Sequence, residues 1–164
     1  MIIREATFQD LNEIWNLTVE LIKDAKKYYK KFKIDKKTIK EIRVSVKNTL
    51  HDKNSRYYVA IHGGKIIGYI LGVIKKRSKN KPEFPDYIDA LERKYGYASD
   101  IFVVKKFRKL GVGTRLMTAL IDWFKRQNVK LVEGHIISKN KSAIKLVKKL
   151  GLKEFEKVMW KKIK

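Results

Sequence analysis

The segment best suited to chemistry is Arg108-Lys109-Leu110-Gly111-Val112-Gly113-Thr114. It stands between a strand-like run, Tyr97 to Val104, and a helix-like run from about Thr114 to Arg126. Glycines at such a junction let the main chain turn sharply and approach a ligand with no Cβ in the way. The first amides of a helix lack intrahelical partners, and the helix dipole is positive at that end. A turn of this kind binds phosphate, and Arg108 and Lys109 add positive charge. The same residues serve equally well as a plain strand-to-helix turn, so the motif alone leaves both open. It is not a P-loop, because no Gly-Lys-Ser/Thr follows at the required spacing. Nor is it a dinucleotide fingerprint, since the third glycine is missing. The chain has no cysteine, which excludes disulfides, thiolate metal sites and a cysteine nucleophile together.

The elements that must position this turn follow from periodicity. Ile2 to Ala6 reads as a strand. Thr7, with Asp10 three residues on, reads as a helix start, followed by Leu11, Ile14, Trp15, Thr18, Val19 and Ile22 at helical spacing. A basic stretch, Lys26 to Lys37, carries Tyr28, Tyr29 and Phe32, and a second helix spans about Lys36 to Leu50. Tyr57–Ile61, His62-Gly63-Gly64-Lys65 and Ile66–Ile74 predict strand, tight turn, strand. Residues 75–96 hold both prolines and predict an irregular loop followed by a short helix. Leu131 to Ile137 reads as a strand. Asn140 to Leu150 reads as a helix closed by Gly151, and Phe155 to Ile163 as a last strand. The predicted order is β-α-α-β-β-β-α-β-α-β, an α/β chain (α+β mixed sheet) with helices packed on the sheet.

The 164 residues predict a single domain, 1–164. Lys and Arg total 40 against 17 Asp and Glu, a formal net charge of +23. That charge attracts polyanions, and nonspecific nucleic-acid binding is one expectation. Most of the excess is Lys, however, rather than the Arg expected for bidentate phosphate or base recognition, so a solvated surface that also recruits an anionic small ligand is the main expectation. No targeting address is visible and no apolar run nears the ~18 residues of a membrane span. A cytoplasmic protein without a membrane partner follows, as monomer or homodimer.

With Asn140-Lys141-Ser142-Ala143-Ile144 and Leu150-Gly151-Leu152 added downstream of the turn, the chain resembles the GCN5-related N-acetyltransferase (GNAT) superfamily. Asp100-Ile101-Phe102-Val103, Arg108-x-x-Gly111-x-Gly113 and Asn140-x-x-Ala143-Ile144 look like its acetyl-CoA-binding strand, pyrophosphate loop and following motif. Ile3-Arg4-Glu5-Ala6-Thr7 with Asp10, and Gly64-Lys65-Ile66-Ile67-Gly68-Tyr69, are similar to its opening and hairpin. Nearly the whole chain is covered, residues 25–55 and 75–96 excepted.

The resemblance implies an acyl-CoA N-acyltransferase fold using acetyl-CoA and no metal. Backbone groups of Ile101, Phe102 and Val103, on a strand that splays from its neighbour, would pair with the pantetheine arm. An amide of that region would polarise the thioester carbonyl. Amides of Lys109, Leu110, Gly111, Val112, Gly113 and Thr114 would hold the pyrophosphate beside Arg108, with Asn140 and Ala143 also at the cofactor. A primary amine, either a protein N-terminus or a small molecule, would attack directly in a ternary complex. Many members carry a tyrosine acid seven residues after the asparagine; here that residue is Val147. His135 and Tyr97 match the His and Tyr that act together in some protein N-terminal acetyltransferases, and an imidazole can take a proton near neutral pH. Asp100 and Glu133 are further carboxylates to weigh, whereas Ser99 stands where some small-amine acetyltransferases carry a catalytic Glu. Tyr28, Tyr29 and Phe32 either border the acceptor or simply pack, and Glu83, Asp86, Asp89 and Glu92 either line the acceptor pocket or form a solvated helix face that balances the lysines. Two alternatives remain: a nucleic-acid-binding basic domain, and an acyl-CoA-binding GNAT fold that is catalytically silent.

Overall fold

The computed structural model describes residues 1–28, 35–77, 93–155, 158, 159 and 161. Among these lie β1 (Ile2–Glu5), α1 (Leu11–Ala25), α2 (Lys36–His51), β2 (Ser55–His62), β3 (Lys65–Lys76), β4 (Lys94–Val103), α3 (Val112–Arg126), β5 (Val132–Glu133) and α4 (Lys141–Lys149). The strands form one sheet in chain order, antiparallel from β1 to β4 and parallel between β4 and β5.

The first turn is fixed by charge. Arg4 makes two parallel hydrogen bonds to Asp10, at 2.7 and 2.8 Å, and the Thr7 amide donates to the same carboxylate at 2.7 Å. These set a 3-10 turn, Phe8–Asp10, from which α1 departs. The Arg4 hydrogen bonds hold the buried Asp10 carboxyl below its usual range, outweighing the opposing effect of burial. Asp10→Asn is therefore expected to lose about 1.5–3 kcal/mol at neutral pH, the worth of hydrogen bonds to a charged group. Because the folded-state value is the depressed one, this contribution is full above the unfolded carboxyl value. It disappears as pH falls through the folded value. Urea midpoints of the two proteins should converge in acid.

Both faces of the sheet are covered, which is why β2 and β3 read as nearly unbroken apolar runs. On one face α1 and α2 bring Leu11, Ile14 and Val46 onto Tyr57, Val59, Tyr69, Leu71 and Phe102. On the other, α3 brings Leu116, Met117, Leu120, Trp123 and Phe124 onto Tyr58, Ala60, Ile67 and Ile70. Phe124 lies directly on β4, where a Cβ at Gly96 would stand 2.7 Å from its ring.

Several boundaries differ from the sequence expectation. β4 begins at Lys94, not Tyr97, and α3 at Val112, not Thr114. β5 is two residues long rather than Leu131–Ile137. Its pairing ends at Gly134, where a Cβ would lie 3.2 Å from the Ala98 carbonyl oxygen. Of the last predicted strand, Phe155 to Ile163, the described residues 155, 158, 159 and 161 lie in no strand. Phe155, Val158 and Met159 are 62%, 82% and 87% exposed. The helix expected within 75–96, Tyr29, Phe32, and the acids Glu83, Asp86, Asp89 and Glu92 fall outside the described residues.

Candidate active site

The site grows from an irregularity in β4. Leu71 pairs with Asp100 but Gly72 pairs with Ala98, leaving Ser99 as an extra residue. Such a bulge resets the alternation of side chains. Tyr97 and Asp100, an odd number of residues apart, thereby share the face covered by α1 and α2: their partners Val73 and Leu71 belong to that core.

Beside the bulge the sheet opens. β4 and β5 are joined by the Gly96–Val132 and Tyr97–Glu133 pairs and by the Gly96 amide, which donates to the Leu131 carbonyl at 2.9 Å. Past Tyr97 the two part, and among the described residues Ile101, Phe102 and Val103 pair with β3 alone. One backbone edge of β4 thus faces a gap. An extended ligand can pair with such an edge as an added strand.

After a 3-10 turn, Lys105–Phe107, the chain enters the glycine-containing turn. Lys109 sits at φ 64° and Gly111 at φ 78°, both left-handed. The Arg115 amide makes the first bond of α3, to the Gly111 carbonyl at 3.1 Å. No described residue accepts a hydrogen bond from the amides of Lys109 to Thr114. A Cβ at Gly111 would meet nothing within 4 Å, so this side of the turn is open. Six successive unengaged amides at the positive end of a fifteen-residue helix make a site for an anion. Gly113 answers a different need, since a Cβ there would approach Leu146 of α4 at 3.3 Å and Ile101 at 3.7 Å. Its smallness serves the contact of α3 with α4.

Three residues expected at the cofactor, Arg108, Asn140 and Ala143, are engaged within the protein. Arg108 turns inward, its Nε donating to the Val103 carbonyl at 2.7 Å and its Nη2 to Asp24 at 2.6 Å. Asn140 caps α4, its Oδ1 accepting from the Ala143 amide at 3.3 Å and the Ser142 hydroxyl at 2.9 Å. Ala143 thus takes part through its amide. Val147 packs with Leu150 against the α3 core.

Tyr97 and His135 come together, their rings edge to face at 5.5 Å between centroids. Lys75 Nζ lies 3.8 Å from the Tyr97 ring centroid. Arg77 pairs with Glu133 at 2.7 Å and stacks on Tyr95. Burial, then the charges of Asp100 and Glu133, push the Tyr97 phenol up, so it stays protonated through neutral pH. Burial likewise raises the Asp100 carboxyl, against the effect of Ser99. Asp100 acts on Tyr57 and Tyr69 too, both raised mainly by burial. Among the described residues no group of three His, Cys, Asp or Glu could hold a metal ion. A shallow groove of about 740 Å³, lined by Phe8, Leu11, Asn12, Lys40, Arg43 and Val44 among others, contains none of these residues.

The profile of the acetyltransferase (GNAT) family matches residues 11–152. The chain belongs to that family. An N-alpha-acetyltransferase of Sulfurisphaera tokodaii is 32% identical over 106 residues, covering 64% of this chain and 60% of that one. An uncharacterized N-acetyltransferase of Methanocaldococcus jannaschii is 28% identical over 157 residues, 95% of this chain and 62% of that one. The chain therefore spans about three-fifths of the length of these two relatives. An N-alpha-acetyltransferase of Sulfolobus acidocaldarius is 28% identical, covering 93% of this chain and 79% of its own. Among solved structures, a tetramutant of a Bacillus halodurans protein superposes with a TM-score of 0.82 at 24% identity, over 99% of this chain and 100% of that one. An aminoglycoside N-acetyltransferase in complex with CoA gives 0.72 at 18% identity, over 99% of both chains. Both show the same fold.

Within this GNAT fold, sequence reasoning missed Asp24, Lys75 and Arg77. Lys75 and Arg77 were visible only as part of a basic run. Asp24 lies 84 residues from its Arg108 partner and gave no local signal.

Proposed function

We propose that this GNAT protein is an N-acetyltransferase that moves an acetyl group from acetyl-CoA to a primary amine, a protein N-terminus or a small-molecule amine, by direct attack in a ternary complex. The observation that carries this is the open turn of unengaged amides, Lys109 to Thr114, beside the gap between β4 and β5. The turn fits a diphosphate and the free β4 edge at Ile101, Phe102 and Val103 fits an amide-bearing arm. Acetyl-CoA supplies an activated acetyl thioester there.

The chain's own groups supply the proton chemistry. His135, an exposed imidazole on the segment after β5, takes the proton of the incoming ammonium. Tyr97, held protonated beside it, donates toward the leaving sulfur, a role closed to the aliphatic Val147. Asp100, on the same face as Tyr97, meets the positive charge of the amine. Relatives named N-alpha-acetyltransferase favour a peptide N-terminus over other amines. In this reading residues 1–164 act as one cytoplasmic domain.

The test is acetyl-CoA-dependent thermal stabilisation, which must occur for a ligand bound by the native state alone. A turnover screen of peptides with varied first residues and of small amines follows. Absence of stabilisation removes the reading. Stabilisation without turnover on any acceptor moves it to an acyl-CoA-binding but catalytically silent protein, which the aliphatic Val147 in place of the usual tyrosine favours. RNA binding with no response to acetyl-CoA would instead fit the charge of +23.

A further inference from the structure

The turn that begins at Arg108 is held from behind by α1. Arg108 donates to Asp24 Oδ2 at 2.6 Å and to the Val103 carbonyl at 2.7 Å, and its guanidinium lies 5.3 Å from the Phe102 ring centroid. Lys105 Nζ stands 3.9 Å from the other Asp24 oxygen. One side chain therefore joins the last turn of α1, the end of β4 and the start of the turn. Burial pushes the Asp24 carboxyl up, but the hydrogen bond and charge of Arg108, with Lys105 and Lys27, outweigh it and hold the carboxyl below its usual range.

The turn needs such an anchor. Lys109 occupies the left-handed region at φ 64°, where a residue with a Cβ costs about 1–2 kcal/mol. Leu110, 66% exposed, supplies little packing. Six amides converge on one anion only if the turn is set before the anion arrives, since ordering it on binding would subtract from affinity.

We propose that Asp24 is a positioning residue for the anion-binding turn: through Arg108 it presets the amides of Lys109 to Thr114. This rests on the acetyl-CoA reading above. Arg108 is then a strut, and the positive charge met by the diphosphate comes from the main chain and the helix end. Binding and positioning are reciprocal, so filling the turn steadies the end of α1, which leads into the segment before α2.

Asp24→Asn tests this without adding bulk. CoA affinity, measured by calorimetry, should fall about tenfold, the scale of one charge-assisted hydrogen bond. The KM for acetyl-CoA should rise in step, while kcat at saturating acetyl-CoA falls less than about twofold. Asp24→Glu, which keeps the charge, should recover part of the affinity. Arg108→Gln should match Asp24→Asn, and the double variant should be no worse than either single, because both remove one link. In ligand-free protein the Phe107 and Arg108 amides, bonded to the Val104 and Lys105 carbonyls at 2.9 and 3.1 Å, should exchange hydrogen faster in Asp24→Asn. Unchanged CoA affinity in Asp24→Asn, with or without a lower melting temperature, overturns the proposal. So does a double variant whose losses multiply. Wild-type protein that binds no CoA overturns the acetyl-CoA reading itself, a result distinct from a variant that binds as well as wild type.

Discussion

Gly111→Glu is expected to eliminate the acetyl-CoA-dependent rise in melting temperature, with affinity lowered at least about a hundredfold, some 2.7 kcal/mol. The side chain would project from the open side of the turn, where a Cβ has no atom within 4 Å. In the acetyl-CoA reading it would reach into the space proposed for the diphosphate and set a carboxylate against it. Two like charges about 4 Å apart near a protein surface repel by roughly 4 kcal/mol. The ligand-free variant should still fold, because nothing is struck. Its cost is the left-handed backbone at φ 78°, about 1–2 kcal/mol, or a melting temperature lower by roughly 2–8 °C in a chain of this size. Gly111→Ala carries that strain without the bulk or the charge, so calorimetry on the pair separates the effects. A Gly111→Glu protein that binds CoA normally would show that the turn is only a junction between strand and helix.

His135→Ala should lower kcat by about two orders of magnitude, the lower range for a positioned acid–base group. The loss should be largest below about pH 8. An acceptor α-amine titrates near 7.7–8.0, so below that range the ammonium form dominates and a proton acceptor is needed; above it the amine supplies its own neutral form. Tyr97→Phe should produce a loss of similar size. The Tyr97 phenol is raised above its ordinary value, so it remains a donor throughout this range and imposes no alkaline limb near neutrality. If the two act as a unit, the double variant will be little worse than either single. A pH–rate profile unaltered in His135→Ala would remove it as the base.

What the sequence made legible was local. Gly63 and Gly64 take left-handed φ of 55° and 74°, as the Gly-Gly turn between two apolar runs requires. The apolar faces of α1, α2 and α3 fall where helical spacing puts them. Tyr97 and His135 are in ring contact, edge to face. What stayed hidden depends on distant partners. Ser99 carries no glycine or proline signal, and the bulge exists only in the register of β4 against β3. The brevity of β5 shows only in its pairing with β4, which stops at Glu133. Arg108 read as a cation for phosphate because its carboxylate partner lies on another helix. Gly113 read as room for a ligand, while its tight neighbour is Leu146.

The odd residue in β4 ties two traits together. Tyr97 lies on the amino-terminal side of Ser99 and the strand end Ile101–Val103 on the other, so the two halves run out of phase by one position. A relative that kept Ser99 but paired β3 with β4 in unbroken register would turn its tyrosine toward the opposite layer of the sandwich. With three residues from Tyr97 to Asp100 the tyrosine and the kink must be kept together, whereas a relative with two needs no kink to keep both on one layer.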